Sequence, residues 1–421
     1  MAYQGRLLSD CTEEYRYRGF ESHPLRHISL FKIPFAFFIS EEKMKIRTIT
    51  TGFDLKVPVS EKQIKSVADF SHRAKKEFVS NGFDVQTVRL ATQPWEEYFT
   101  SPRQIKRLVK KIEELSLAGG MDYFNIGTTF YPKNIPLIYD LIKSTSTGFC
   151  TVMVADSENI NYEAAQKTAG LMKKLAFVEK DGFANLRFAA LFNTEPGSPF
   201  YPAAYHRGPV SFGIGTENSD LVNKAFSQAG SIQKAPKILK KILEDEFKKI
   251  EKLAEKISKN EHIAYNGIDV SVASSVKKNE STAFAFEKLG LGRFGDVGTL
   301  AVAKCLTDCL SGLDVKKCGY SGLMLPVLED FGLALRNKEK AFDLIHILLY
   351  SAVCGTGLDT IPLPGDVSEE KLYALLLDIA SLSIKLDKPL SARLMPVPYK
   401  TYGDMTSFAF DYFANTEIMK I

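Results

Sequence analysis

The chain lacks any apolar segment approaching the ~20 residues that cross a bilayer, and it has almost no net charge. Its 54 Lys and Arg against 50 Asp and Glu leave +4 over 421 residues, with both signs mixed along the length. That balance excludes a nucleic-acid or membrane partner held by a basic surface. Cysteine is sparse too. Six in a chain of this length do not make a disulfide framework, and no Cys-x-x-Cys pair is among them. They read as thiols in a reducing compartment, so the expected location is cytoplasmic. Cys305 and Cys309 share one helical face and Cys318 follows. Without a fourth ligand they read as packed thiols, with a metal or cluster site as the other reading. Repeats, low-complexity tracts and Pro/Gly/Ser linkers are absent, which favours one large domain over residues 44–421.

The first 43 residues are unlike the rest. An Arg-rich polar stretch precedes the apolar run ISLFKIPFAFFI at 28–39. The run has the length of a signal-peptide core, but Ser40-Glu41-Glu42-Lys43 follows it where small residues are wanted for cleavage. The string GFESHPLRH at 19–27 matches a translated T-arm of a transfer-RNA gene. The expectation is a leader foreign to the fold, with Met44 as the true start; a targeting segment is the alternative.

What is present after Met44 is an alternation of strand and helix. β-rich runs fall at 45–53, 85–92, 123–128, 149–155, 186–192, 210–214, 267–272, 321–327, 360–363 and 390–397. Helix signals lie between them. Ser60 with Gln63 forms a capping box, Pro102 sits at a first helical position, and Asp366 with Glu369 reads as another cap. The run 236–259 carries Leu239, Ile242, Leu243, Phe247, Ile250, Leu253 and Ile257 at helical spacing. About ten such units predict an α/β fold with a largely parallel sheet, closed or nearly closed into one barrel of about ten strands.

Ligands of parallel α/β folds gather where loops leave the C-terminal ends of strands. On that expectation several residues form a candidate site. Asn193 and His206 bound the loop in FAALFNTEPGSPFYPAAYH (188–206), His206 as acid/base or ligand, or else as a loop histidine bonded to a backbone carbonyl. Gly213 and Gly215 in VSFGIGTENSD open a helix and read as an anion-approach turn or a plain tight turn. Gly298 and Thr299 in GRFGDVGT read the same way. Asp269 and Ser271 share one face of a strand, a costly arrangement unless both are bonded. Cys354 is loop-borne beside glycines, Asp359 follows it, and Arg393 would hold a carboxylate or phosphate bidentately if it points inward.

Taken in order, these residues carry a resemblance. FNIGTT (124–129), Asn193 with Pro199, Phe200 and His206, D-x-S at Asp269 and Ser271, and Gly298-Thr299 come first. They are followed by SG-x3-P-x2-ED-x-G from Ser321 through Glu329 and Asp330, C-x2-GLD-x-I-x2-P-x-D from Cys354 to Asp366, and R-x2-P…GDM from Arg393 to Met405. From about residue 45 to the C-terminus the chain resembles domain of unknown function 711, also called uncharacterised-protein family 0210. The resemblance implies a ten-stranded β/α barrel similar to that of pyruvate formate-lyase-like glycyl radical enzymes. It brings no established activity and no cofactor. A radical reading would need a glycyl loop and a barrel thiol; Gly403 and Cys354 stand in the corresponding regions, but Thr-Tyr-Gly-Asp-Met departs from the glycyl motif.

The functional expectation is an enzyme acting on a small anionic metabolite at the barrel mouth by acid/base or thiol chemistry. His206, Asp269 and Cys354 would be the catalytic set. Asn193, Gly213, Gly215, Gly298, Thr299, Asp359 and Arg393 would bind ligand. A non-catalytic ligand-binding or regulatory protein using the same pocket is the alternative, and a homo-oligomer is compatible with both.

Overall fold

The computed structural model describes residues 44–99, 101–353 and 355–421, which belong to one compact unit, Lys43–Ile421. The expectations for the leader and for Cys354 fall outside the described residues. Nine strands form one sheet: β1 (Lys45–Phe53), β2 (Asp84–Thr92), β3 (Tyr123–Thr129), β4 (Gly148–Ala155), β5 (Phe188–Phe192), β6 (Ser211–Glu217), β7 (Ala264–Asp269), β8 (Gly357–Pro364) and β9 (Leu390–Val397). Their order across the sheet is β7-β6-β1-β2-β3-β4-β5-β9-β8. Strands such as β4 are buried along their whole length, as in a sheet covered on both faces.

The helices that connect the strands follow their local signals. Ser60 and Gln63 close the expected capping box of the helix Glu61–Ser80. The long amphipathic helix spans Ala235–Glu261 and buries Leu239, Leu243, Phe247, Ile250, Leu253 and Ile257, while its lysines and glutamates face solvent. One cap was misplaced: Ser368, not Asp366, accepts from Lys371 N and starts the helix Glu369–Leu386. The Ser368 backbone is extended and its hydroxyl reaches the third helical amide. No helix among the described residues is long and apolar enough to cross a membrane.

Two features differ from the expected barrel. The sheet is largely parallel, as expected, but its strands do not all run one way. β1 to β5 are mutually parallel, but β6 is antiparallel to β1 and β9 is antiparallel to β5. Loops therefore leave C-terminal strand ends on both rims of the sheet. The sheet is also not a closed ladder of ten strands, because the run expected at 321–327 forms no regular strand. Pro326 offers no amide to a ladder, and Gly322 approaches Gly355 so closely that a Cβ on it would lie 2.3 Å from the Gly355 Cα. This irregular segment nonetheless touches both edge strands. Ile268 N donates to Lys316 O at 2.8 Å and Cys318 N to Ile268 O at 3.0 Å on the β7 side; Val327 N donates to Asp359 O at 3.2 Å on the β8 side. Isolated parallel bridges pair Val272 with Leu323 and Pro326 with Asp359.

Candidate functional site

The connection between β5 and β6 runs back across the sheet and is fastened to three strands. Thr50 Oγ1 donates to Pro199 O at 2.7 Å, Asn125 Nδ2 to Pro202 O at 2.5 Å and His206 N to Thr92 O at 2.9 Å, and the Tyr201 hydroxyl donates to Leu90 O. The tip of this loop, Phe200 to Ala203, walls a cavity whose empty volume is about 1220 Å3 with its open mouth included. Strand residues supply the rest of the wall: Arg47 from β1, Thr87 and Arg89 from β2, Tyr123 from β3, Phe149 from β4, Asp359 from β8, and Ser391 and Arg393 from β9. The irregular segment contributes Tyr320, Met324, Pro326 and Glu329, and the C-terminal tail lays Phe410 and Tyr412 against it. Alternation along each strand explains the set, since Thr87 and Arg89, or Ser391 and Arg393, project from the same face.

Charge divides this wall into two parts. On one side Arg89 lies level with Tyr123 in the β2–β3 register. Its guanidinium carbon is 5.5 Å from the Tyr123 ring centroid and 5.1 Å from that of Tyr201, and its Nε donates to Thr87 Oγ1 at 3.0 Å. Among the described residues no carboxylate pairs with it. Burial, the largest influence, lowers its pKa to about 10, with Arg47 adding to the fall and Tyr201, Tyr123 and Asp122 pulling the other way. Arg47 is nearby in the wall, tied at its outer side to Glu217 at 3.3 Å and donating to Ser274 O at 3.3 Å.

On the other side Arg393 sits between two carboxylates. Its Nε donates to Asp359 Oδ1 at 2.6 Å and its Nη2 to Glu329 Oε1 at 2.7 Å. Burial opposes the Arg393 charge, but Asp359 and Glu329 outweigh it and its pKa is raised. Glu329 is pushed up from the ordinary carboxyl range. Burial is the largest cause and the Asp359 charge adds to it, while Arg393, Arg47 and Arg89 pull the other way. Each carboxylate thus spends one oxygen on Arg393. The second oxygens, Asp359 Oδ2 and Glu329 Oε2, have no hydrogen-bond partner among the described residues. A buried acid of raised pKa beside a firmly charged arginine can give and take a proton.

Of the residues expected from sequence, Asp359 and Arg393 come together here, although Arg393 holds the protein's own carboxylates where an external anion was expected. The others lie elsewhere among the described residues. His206 is 1% exposed, with Nε2 2.8 Å from Gly208 O and 3.9 Å from Asp54 Oδ1. Burial, the main influence, lowers its pKa, against the Gly208 carbonyl bond and the Asp54 charge. It packs on Gly52, where a Cβ would come within 2.5 Å of its Nδ1. This is the backbone-bonded arrangement rather than a group facing the cavity. Asp269 is likewise enclosed. It accepts from Ser271 N and Oγ at 3.0 and 2.5 Å and from Tyr320 N and Ser321 N at 2.9 Å each. Burial is the main influence on its carboxyl and raises its pKa. Its role is to set the turn that delivers Tyr320 to the cavity.

Asn193 bonds Asp387 Oδ1 at 3.1 Å through its amide. Gly213 and Gly215 are not in a turn but inside β6, where a Cβ on Gly215 would press the Phe200 ring at 3.0 Å. They make room for the loop that walls the cavity. Gly298 caps the helix Thr299–Ser311 at φ 106°. Thr299 Oγ1 donates to Asp296 O at 2.8 Å and accepts from Gly295 N at 3.0 Å, so this turn satisfies its own polar groups. Gly403 lies in the tail, its amide 3.1 Å from Ile418 O, away from the cavity lining. No cluster of three or more metal-ligating side chains occurs among the described residues.

Sequence reasoning missed Arg47, Arg89, Tyr123, Tyr201 and Glu329 as cavity residues. A signal existed for Arg89, an arginine alternating with Val88 and Leu90 in a strand, the same pattern that drew notice to Arg393. Glu329 was hidden by its neighbour. Of the pair Glu329-Asp330, Asp330 caps the helix Phe331–Lys338 and only Glu329 faces the cavity, which spacing alone does not reveal.

Comparison with known proteins gives relatives but no activity. A UPF0210 protein of Pyrobaculum aerophilum is 30% identical over 77% of this chain and 76% of its own length. One from Methanopyrus kandleri is 28% identical over 70% of each chain, and one from Acetivibrio thermocellus is 26% identical over 88% and 89%. Among solved structures, the anaerobic ribonucleotide reductase from Thermotoga maritima aligns over 88% of this chain and 79% of that chain with a TM-score of 0.40 and 9% identity. The model for the family described as Uncharacterised ACR (DUF711) matches residues 38–411, and the chain belongs to that family.

Proposed function

We propose that the cavity between Arg89 and Arg393 binds a small anionic metabolite and that the protein is an enzyme in which Glu329 moves a proton on it. The observation that carries this reading is Arg89, a cation flanked by two aromatic rings, facing open space without a carboxylate partner. A bound carboxylate or phosphate would complete its hydrogen bonding. Glu329, raised by burial and by Asp359, supplies the acid/base group, and Asp359 with Arg393 fixes its position. Phe149, Tyr201 and Phe200 keep water from the inner end.

The architecture in which this site sits is, in our reading, a barrel. Residues 316–327 act as an irregular tenth strand, and their hydrogen bonds to both β7 and β8 support closure. The Gly322–Gly355 contact would be the seam. The loop carrying Phe200 to Ala203 then fills one end and leaves the cavity at the other.

A non-catalytic binding protein is the second reading, favoured by the backbone-bonded, buried His206. One experiment separates the two. Arg89→Met should abolish binding of small carboxylates and phosphates in calorimetric titration. Glu329→Gln should retain binding yet fail to restore the metabolite profile of a deletion strain. If Glu329→Gln restores the profile as wild type does, the protein binds without catalysing. If Arg89→Met binds normally, the site is wrong.

A further inference from the structure

We propose that the ligand of this cavity is a zwitterion, a small amino-carboxylate whose carboxylate lies against Arg89 and Arg47 and whose ammonium lies against Asp359 and Glu329. The inference rests on the reading of the cavity as an anion site and goes further, because a simple anion would use only half of the wall.

The cavity is electrically two-sided. Arg89 and Arg47 are on strands β2 and β1, and Arg89 has no carboxylate partner among the described residues. The triad of Arg393, Asp359 and Glu329 stands on β9, β8 and the irregular segment, away from β1 and β2 in the strand order. Arg393 occupies only Oδ1 of Asp359 and Oε1 of Glu329. The two remaining oxygens are acceptors without donors, and neither is among the enclosed, unbonded polar atoms of the described interior. They are therefore reachable from the cavity. An ammonium carries three donors and no acceptor, which matches acceptor-only carboxylate oxygens as an anion cannot. A dianion placed across this cavity would meet repulsion at the triad. An amino acid meets opposite charge at both ends, and the apolar surfaces of Phe200, Met324 and Ala273 remain for its side chain.

The test is calorimetric titration of the purified full chain at pH 7 with matched pairs: an amino acid and the carboxylic acid of the same skeleton lacking only the amine. Alanine with propionate, leucine with 4-methylpentanoate, phenylalanine with 3-phenylpropionate and glutamate with glutarate span the useful sizes. The expected result is that at least one amino acid binds about 10- to 100-fold more tightly than its partner, the size of one charged hydrogen bond. Asp359→Asn should erase that preference while leaving the deaminated acid bound within about threefold; Arg89→Met should weaken both. Where Asp359→Asn is not folded by circular dichroism, Glu329→Gln takes its place and should erase the same preference while leaving the deaminated acid bound within about threefold. Deaminated acids binding as tightly as their amino acids would overturn the zwitterion and leave the anion reading standing. Inorganic phosphate binding while no amino acid does would have the same effect. Failure of every carboxylate and of phosphate would overturn both.

Discussion

Replacing Arg393 by Met removes the only cation among the described residues that is bonded to Asp359 and Glu329, at 2.6 and 2.7 Å. The two side chains keep 16% and 18% of their exposure and the arginine 10%, so the pair is partly screened by water in the cavity. Removing one member of a buried ion pair costs about 3–5 kcal/mol, and the screening places the expected loss at the lower end. The folded unit is Lys43–Ile421, and an unfolding entropy of about 2.1 cal/mol/K per residue then gives a Tm lower by roughly 4 °C at pH 7. The sign of the pH dependence follows from Glu329, whose folded pKa is raised. A carboxyl with a raised pKa is least unfavourable below its unfolded value, and its stability is lost as pH rises through the folded value. Without Arg393 that pKa rises further. The deficit of Arg393→Met should therefore be largest at pH 7–8 and shrink toward pH 5, as read by thermal unfolding across that range. Combining it with Asp359→Asn and Glu329→Gln should recover most of the loss. A deficit independent of pH, or one below about 1 kcal/mol at pH 7, would refute the account of the triad.

Other outcomes follow from the same structure. His206→Ala should destabilise the fold by about 2–4 kcal/mol through its cavity, with no selective loss of function in metabolite profiling at a temperature where the variant is folded. Because the folded pKa of His206 lies below its ordinary 6.5, wild type should lose stability as pH falls from that value toward the lowered one, and His206→Gln should lose less over the same interval. Gly322→Ala puts a Cβ 2.3 Å from Gly355 Cα and should lower stability by about 1–3 kcal/mol in denaturant unfolding. Gly319→Ala, at φ 64° and 2.1 Å from Asp269 Oδ2, should also loosen the turn that carries Tyr320, visible as weakened ligand binding in calorimetry. Ser60→Ala, at an exposed cap, should cost about 1 kcal/mol in the same unfolding assay and leave binding unchanged.

The sequence by itself determined the elements and the family. β1 and β9 occupy the expected residues, and the capping box at Ser60 and the long helix over Ala235–Glu261 formed where local pattern placed them, because burial periodicity and caps act within a few residues. It also picked out Asp359 and Arg393, since an arginine alternating with apolar strand residues is placed to hold an anion if it points inward. Only the tertiary structure decided which anion that is. The partners of Arg393 lie 34 and 64 residues away, and no local rule gives such pairings. The two strand directions are of the same kind: whether β6 and β9 run with or against their neighbours depends on connections that cross the sheet, and that choice put His206 at the end of β2, bonded to Gly208, while Arg89 in the same strand faced the cavity. Asp269 and the glycines of β6 were noticed for their chemistry and turned out to hold the cavity's walls, because a buried carboxylate is satisfied as well by backbone amides as by a ligand, and a missing Cβ admits an aromatic ring as readily as a phosphate.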